Sequence, residues 1–377
     1  MTNNNTGLYV HIPFCVQKCG YCDFYSCDDK FYLIDDYTEA VIKELKYYKN
    51  KYEIEFSTLF IGGGTPTVLA EKQLDALFTG IYSLYPKKNF KEITIEANPE
   101  TITEKTAKVL AANVNRVSMG AQSFDDNILK TLGRVHNAEK IKEAFAVLRE
   151  NNISNINLDL MYGIPGQNVS MVISDIEEAS SMGAEHISFY MFTPYPDTPA
   201  GKLIESGGLK MPPDEDITDI FITGAGFLEG NDYMQYEIAN FCKPGRECVH
   251  NLNYWDCGKY IGIGAAAASY FDGLRYVNLK NIEDYIKQLK KNDDPAKTSE
   301  KITPDMELKE FIMLKLRTVQ GINKADFRER FGYDFDGRFG KIIERPLKGG
   351  LLTDSADAIA LTRKGMMVSN TVIALFF

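Results

Sequence analysis

The stretch Leu8-Tyr-Val-His-Ile-Pro-Phe-Cys15-Val-Gln-Lys-Cys19-Gly-Tyr-Cys22 passes from a short apolar, β-branched run straight into a loop that carries three cysteines. A run of this kind reads as a buried strand. Similar runs recur at Thr58 to Ile61, Glu92 to Glu96, Arg116 to Met119, Asn155 to Met161 and His186 to Met191. Amphipathic helical patterns separate them, at Asp35 to Tyr48, Glu71 to Tyr85, Glu104 to Ala112, Ala138 to Asn151 and Val169 to Ser181. This alternation implies parallel strands joined by right-handed crossovers, and six units are too few for a closed eight-fold barrel. The expected fold class is therefore α/β, a partial (β/α)6 barrel over residues 1–200. Functional residues of such a barrel belong at the strand tails.

Working outward, residues 201–286 read as a region flanking the barrel, with an acidic helix near Asp214 to Leu228 and a Gly/Ala-rich run from Gly262 to Ser269. Residues 287–303, rich in Lys and Asp, read as a linker. Residues 304–377 carry helical patterns at Glu307 to Arg317, Lys324 to Phe331 and Phe339 to Lys348, then a hairpin within Leu351 to Leu361, the order of a small winged-helix-like domain. That domain holds 12 Lys and Arg against 10 Asp and Glu, a net of +2, and the whole chain of 377 residues has a net charge of −10. Neutralising phosphates takes clustered cations, so the balance argues against nucleic acid as a partner and for a docking role. The start of the chain lacks a charged segment followed by an apolar run, and no stretch reaches the length of a membrane span, which points to the cytoplasm. Seven cysteines without an export signal disfavour a disulfide framework and favour metal or redox chemistry.

Cys15, Cys19 and Cys22 lie close enough in sequence to converge on one centre, and soft sulfur ligands select iron–sulfur or zinc. A zinc site completed by Cys27 is the competing reading, though the spacing suits paired zinc knuckles poorly. Gly62-Gly-Gly-Thr-Pro-Thr67 at the second strand's tail suits close backbone approach to a ligand, or simply a tight turn. Glu96, Gln122 and Asp159 close later strands. A buried carboxylate there is costly unless paired or ligand-bound, so either a site or ion pairing with Arg134 accounts for them.

Together these motifs resemble the radical S-adenosylmethionine superfamily. Within it they are similar to the branch that holds oxygen-independent coproporphyrinogen III dehydrogenase and the heme chaperones related to it. The residues carrying the resemblance are Tyr9-Val-His-Ile-Pro-Phe-Cys15, the three cysteines, Gly62-Gly-Gly-Thr-Pro-Thr67, Glu96-Ala-Asn-Pro99, Gly120-Ala-Gln-Ser-Phe124, Asp159-Leu-Met-Tyr-Gly163 and His250-Asn-Leu-Asn-Tyr-Trp255. The resemblance implies a [4Fe-4S] cluster on Cys15, Cys19 and Cys22, with S-adenosylmethionine on the open iron. It implies that Tyr9, Gly63, Gly64, Thr65, Glu96, Gln122, Arg134 and Asp159 line the nucleotide pocket, with Tyr21 and Thr193 as looser matches. Carboxylates that accept from hydroxyl or ammonium groups, and an arginine that balances a carboxylate, suit those roles.

Three features lean toward the heme chaperones. The first strand begins near residue 8 without the dehydrogenase's long extension, Phe24 stands where dehydrogenases carry a fourth cysteine, and His250-Asn-Leu-Asn-Tyr-Trp255 resembles a motif proposed to bind heme. The resemblance thus implies transfer of heme to acceptor apoproteins, with His250 contacting heme, and a place in porphyrin biosynthesis without coproporphyrinogen dehydrogenase activity. Oxidative decarboxylation of coproporphyrinogen III is the alternative. A low-potential electron donor such as flavodoxin or ferredoxin is implied too, and peripheral membrane association and a homodimer are compatible with the resemblance. His250 also reads as a hydrogen-bonded loop histidine and Trp255 as a core aromatic, while His11 and His136 read as structural. Ala268 replaces a histidine common in the chaperones.

Overall fold

The computed structural model describes residues 6–377; the reading of Met1–Asn5 as the start of a chain without an export signal lies outside the described residues. The first half alternates as the periodicity requires. Its strands are β1 (Thr6–Ile12), β2 (Phe56–Gly63), β3 (Glu92–Ala97), β4 (Arg116–Gln122), β5 (Ile156–Tyr162) and β6 (His186–Met191). Its helices are α1 (Ile34–Lys51), α2 (Glu71–Leu84), α3 (Glu104–Asn113), α4 (Asp126–Leu132), α5 (Ala138–Glu150) and α6 (Val169–Ser181). Each of the six strands pairs in parallel with the next in sequence order, from β1 to β6. The sheet is open, with no closed barrel.

Side chains alternate across each strand, and the two faces have different chemistry. Leu8, Val10, Ile12, Leu59, Ile61, Ile93, Ile95, Val117, Met119, Leu158 and Leu160 join one apolar cluster with the buried faces of the helices. The alternate positions, among them Tyr9, His11, Glu96, Ser118, Asn157, Asp159 and Tyr190, stand outside that cluster and hydrogen-bond to one another or to loops. The helices therefore cover the outer face, and the inner face is left polar.

The flanking region is more regular than its sequence suggests. After α7 (Pro199–Glu205) and the acidic α8 (Asp214–Gly230), β7 (Met234–Gln235) and β8 (Asn240–Cys242) extend the sheet beyond β6. Then α9 (Val249–Trp255) leads to β9 (Tyr260–Ile263), which pairs in parallel with β1, followed by β10 (Ala268–Phe271) and β11 (Leu274–Asn278). The stretch 287–303, read as a linker, instead ends α10 (Ile282–Lys290) and forms the edge strand β12 (Ala296–Lys301) against β11. Among the described residues the sheet counts twelve strands.

The C-terminal unit contains α11 (Pro304–Lys315), β13 (Ile322–Asn323), α12 (Lys324–Phe331), α13 (Phe335–Lys348), the hairpin β14 (Leu352–Asp354) and β15 (Ala358–Leu361), α14 (Arg363–Met367) and α15 (Ser369–Ile373). It has its own apolar cluster, whose buried members all lie within Leu308–Phe376 and against which Ile238 and Cys257 of the flanking region pack. Phe327 lies at its centre, fully buried, with ring centroids of Phe331, Phe335 and Tyr333 at 5.0, 5.1 and 5.5 Å. Phe327→Ala is expected to destabilise this unit by about 3–5 kcal/mol. Hydrogen exchange should then rise across residues 304–377 while β1 to β6 keep their protection; equal loss in both regions would show that the two clusters unfold as one.

Candidate functional site

At the tails of β1 to β6 opens a cavity of about 480 Å³. It is lined by Cys15, Cys19, Tyr21, Cys22, Gly63, Gly64, Thr65, Glu96, Gln122, Arg134, Asp159 and Thr193, which brings together all the expected residues except Tyr9 and His250. The loop after β1 returns on itself through Cys15 N–H donating to the Cys27 carbonyl at 2.9 Å and Cys27 N–H donating to the Pro13 carbonyl at 2.7 Å. This presents Cys15, Cys19 and Cys22 to the cavity and leaves Cys27 out of its lining.

The glycine run is required by that loop. A Cβ on Gly64 would lie 2.7 Å from the Phe14 carbonyl oxygen and 2.9 Å from Cys15 Sγ, and Gly63 holds φ +117°, a conformation costly for any side chain. The Gly63 amide donates to Glu96 Oε2 at 2.9 Å. The tight-turn reading therefore holds, the close approach seen being to the chain's own Phe14 carbonyl and Cys15 sulfur.

Arg134 is the hub. Its Nη1 donates to Cys19 Sγ at 3.3 Å, and its Nη2 donates to Asn98 Oδ1 at 2.6 Å and to the Gly120 carbonyl at 3.0 Å. Asn98 Nδ2 donates to Thr65 Oγ1 at 2.9 Å, and Thr65 Oγ1 donates to Cys15 Sγ at 3.6 Å. Arg134 Nε is buried without a partner, so the guanidinium has capacity left for an incoming acceptor. Its partners are thiols, amides and carbonyls, so the ion-pair reading with Glu96 or Asp159 is not what the contacts show.

The carboxylates are buried and held by neutral donors. Burial pushes Glu96 up to about 7, opposed by the Gly63 amide and reinforced by Asp159. Burial likewise raises Asp159, while hydrogen bonds from Ser188 and Asn157 oppose it; the Asn157 amide donates to Asp159 at 2.7 Å. Gln122 sits at a bulge in β4 with φ +70° and accepts from Tyr190 OH at 2.5 Å. A strained non-glycine residue at a strand tail fits a ligand-facing position. Burial raises the thiols of Cys15 and of Cys22, the latter to about 11, so bare sulfurs here are protonated and metal binding must displace their protons.

The donor set favours one of the two metal readings. No three His, Cys, Asp or Glu side chains among the described residues converge at the spacing of a single ion. A cubane distributes its thiolates over separate irons, and three thiols lining one cavity beside a partly unpartnered arginine fit such a cluster with one iron left open.

Two expected residues lie elsewhere. Tyr9 lines a second cavity, of about 550 Å³, between β9, β10 and the C-terminal unit, and its hydroxyl meets His11 Nδ1 at 3.0 Å. His250 lies in the first turn of α9, not in a loop. It is fully buried, with Thr58 Oγ1 at 2.8 Å from Nδ1 and Tyr254 OH at 2.8 Å from Nε2. Neither ring nitrogen faces a cavity, and burial pushes the imidazole down to about 3. His11 and His136 also have both nitrogens engaged, consistent with structural roles. Sequence reasoning passed over Asn98 and Tyr190. Asn98 closes β3 inside the quoted Glu-Ala-Asn-Pro motif, and the strand-tail rule would have marked it.

The radical SAM superfamily profile matches residues 9–179, and the HemN C-terminal domain profile matches residues 302–368. The chain is 36% identical over 375 residues to the heme chaperone HemW of Bacillus subtilis (strain 168), covering 98% of each protein. It is 34% identical over 382 residues to the heme chaperone HemW of Escherichia coli (strain K12), covering 98% of this chain and 97% of the relative. The solved structure of coproporphyrinogen III oxidase (HemN) from Escherichia coli, described as a radical SAM enzyme, superposes with a TM-score of 0.86 at 22% identity, over 99% of this chain and 90% of that one.

The cavity lining predicts which thiols hold iron. Cys15→Ala, Cys19→Ala and Cys22→Ala should each lose the cluster, whereas Cys27→Ala should keep nearly full iron and sulfide after anaerobic reconstitution. Iron loss in the Cys27 variant would restore a four-cysteine site.

Proposed function

Because the chain belongs to the HemW heme chaperone family within the radical SAM superfamily, we propose that it binds heme and passes it to acceptor apoproteins, while its strand-tail cavity holds a [4Fe-4S] cluster and S-adenosylmethionine. What supports this reading most directly is similarity to heme chaperones along both the sheet and the C-terminal unit, joined to a cavity where three thiols, an arginine and two buried carboxylates meet.

Cys15, Cys19 and Cys22 are the residues to hold the cluster. When bound, the cluster supplies a single electron to the sulfonium of S-adenosylmethionine. The remaining work belongs to the chain. Arg134 orders Cys19 and offers its free Nε toward a carboxylate, Gly63 and Gly64 let the ligand reach the backbone, and Glu96 and Asp159 accept from hydroxyl or ammonium groups. Burial of these groups strengthens each contact, because little water competes.

The heme reading is tested by offering anaerobically reconstituted protein ferric heme and, separately, coproporphyrinogen III. Saturable heme binding without decarboxylation is expected; conversion of coproporphyrinogen III to protoporphyrinogen IX in the absence of heme binding would make the protein a dehydrogenase. Glu96→Ala and Asp159→Ala should each weaken S-adenosylmethionine binding about ten- to a hundredfold, the loss of a charge-assisted hydrogen bond of roughly 1.5–3 kcal/mol, with iron content unchanged. Calorimetry that finds both affinities intact would make these carboxylates structural.

The raised Glu96 adds a pH signature. Only its ionised form accepts fully from a ligand donor, so affinity should climb between pH 6 and pH 8 as the carboxyl, held near 7, loses its proton. Glu96→Gln should bind more weakly and flatten that climb. An unchanged pH profile in the variant would assign the titration to another group.

A further inference from the structure

The second cavity is not part of the cluster site. It lies where β9, β10 and β11 meet α11 and α12, and its volume of about 550 Å³ falls in the range of roughly 300–1,000 Å³ that cofactor-sized ligands occupy. Tyr9, Tyr254, Tyr260 and Tyr270 make its walls aromatic, with Met313 and Leu314 closing it from the C-terminal unit. Flat aromatic walls suit a flat, largely apolar ligand. At the rim stand Arg275 and Arg330, both partly exposed, each paired with a glutamate of the same lining: Arg275 with Glu310 at 2.6 Å and Arg330 with Glu307 at 2.8 Å. Two arginines balance two glutamates, so the rim has no net field to draw an anion. It does offer two guanidinium groups that can exchange one carboxylate partner for another.

The histidines supply an independent constraint. The chain has four, and each has both ring nitrogens in hydrogen bonds: His11 with Tyr9 and Tyr25, His136 with Glu100 and Ala121, His186 with Asn157 and Tyr236, and His250 with Thr58 and Tyr254. An iron centre that takes a protein ligand without dismantling one of these networks must take it from another residue type. The second cavity offers such atoms in Cys257, which follows α9 and packs against the C-terminal cluster, in Met313 and in the tyrosine hydroxyls, and of these the cysteine sulfur, once deprotonated, is the strongest iron ligand.

We infer that this aromatic cavity between the sheet edge and the C-terminal unit is the seat of heme, with the ring between the tyrosines, the propionates at Arg275 and Arg330, and the iron on the Cys257 side, away from His250. The inference rests on the heme reading above and adds to it a location and a ligand. It also gives the C-terminal unit a task, since α11 forms one wall and its Glu310 is the carboxylate that a propionate would displace from Arg275. The motif around His250 then contributes Tyr254 to the wall while His250 positions that tyrosine from behind.

The test is absorbance titration of the full-length, cluster-loaded protein with ferric heme. Ala268 lines the cavity from β10, so Ala268→Trp fills it, and Tyr270→Ala removes a wall without adding bulk. Each is expected to weaken heme binding at least about tenfold while iron–sulfur content and S-adenosylmethionine affinity stay at the wild-type level. Cys257→Ala should shift the Soret band, and Cys257→His should replace a thiolate spectrum with an imidazole one. If both cavity variants bind heme like the wild type, or if the Soret band ignores Cys257 and moves only in His250→Gln, the seat is elsewhere and this inference falls while the heme reading stands. A wild-type protein with no saturable heme binding takes down both.

Discussion

A single hydrogen-bonded chain holds the candidate site in shape: Cys19 Sγ, Arg134, Asn98, Thr65, Cys15 Sγ. Its members come from the loop after β1, the tails of β2 and β3, and the turn after α4, and the Gly120 carbonyl of β4 joins it through Arg134. Strand tails in an open sheet diverge with the twist, so nothing in the backbone ladder fixes their mutual spacing beyond the last paired residue. The planar guanidinium, with donors on two sides, sets that spacing where a lysine would reach one acceptor at a time. Gly120 follows from it, because a Cβ there would lie 2.9 Å from Asn98 Oδ1 and 3.4 Å from Arg134 Nη2. The tightness at Gly120 comes from Asn98 and Gln122, whose amide ends a Cβ would approach to 2.9 Å, and Arg134 contributes by holding Asn98 in place.

The same logic appears at the other edge of β1, where a buried carboxylate performs the joining. Glu44 of α1 is fully buried and accepts from the Gly264 amide at 2.8 Å, Asn278 Nδ2 at 2.6 Å and Tyr285 OH at 2.6 Å. Burial pushes it up to about 8 against the effect of those three donors. Through Glu44, α1 grips the turn after β9, the end of β11 and α10. That grip is how short strands with little apolar surface of their own become a continuation of the sheet beyond β1, and hence how the wall of the second cavity is kept in place.

These two constraints explain what was legible in the sequence. The six parallel strands and their helices announce themselves by period, because each strand buries an unbroken apolar face against helices that repeat every three to four residues. Cys15, Cys19 and Cys22 were legible because they are local. Strands β7 to β12 were not, since they run from two to six residues, and β12, Ala-Lys-Thr-Ser-Glu-Lys, is a polar edge that carries no apolar signal. Asn98 was passed over because its role depends on Arg134 and Thr65, which only the fold brings to it. Tyr9 belongs to a motif with the cysteines, yet it lies on a different cavity. The strand that feeds the cysteine loop also borders β9, and Tyr9 sits several residues before the strand's tail. His250 was read both as a heme contact and as a hydrogen-bonded histidine for a related reason, because a histidine beside aromatics has the same sequence signature in either role, and here it is clamped between Thr58 and Tyr254.

Tyr9 also ties the two cavities together. It packs on Phe60 with ring centroids 6.2 Å apart, and Phe60 in turn packs on His250 at 5.2 Å, so one aromatic layer crosses β1 and β2 behind the second cavity. Burial holds the Tyr9 hydroxyl protonated, with the negative charge of Glu96 from the first cavity and the proximity of Tyr254 in the second acting in the same direction. Ionising Glu96 therefore stabilises the neutral tyrosine further, and a ligand that neutralises Glu96 relaxes that pressure. The hydroxyl meets His11 Nδ1, whose ring reaches the Tyr25 carbonyl in the cysteine loop. Two side chains, Tyr9 and His11, thus connect the wall of the second cavity to the backbone of the cysteine loop. The two cavities have separate linings, and Tyr9 is the residue of the second whose surroundings reach back to Glu96 and the cysteine loop.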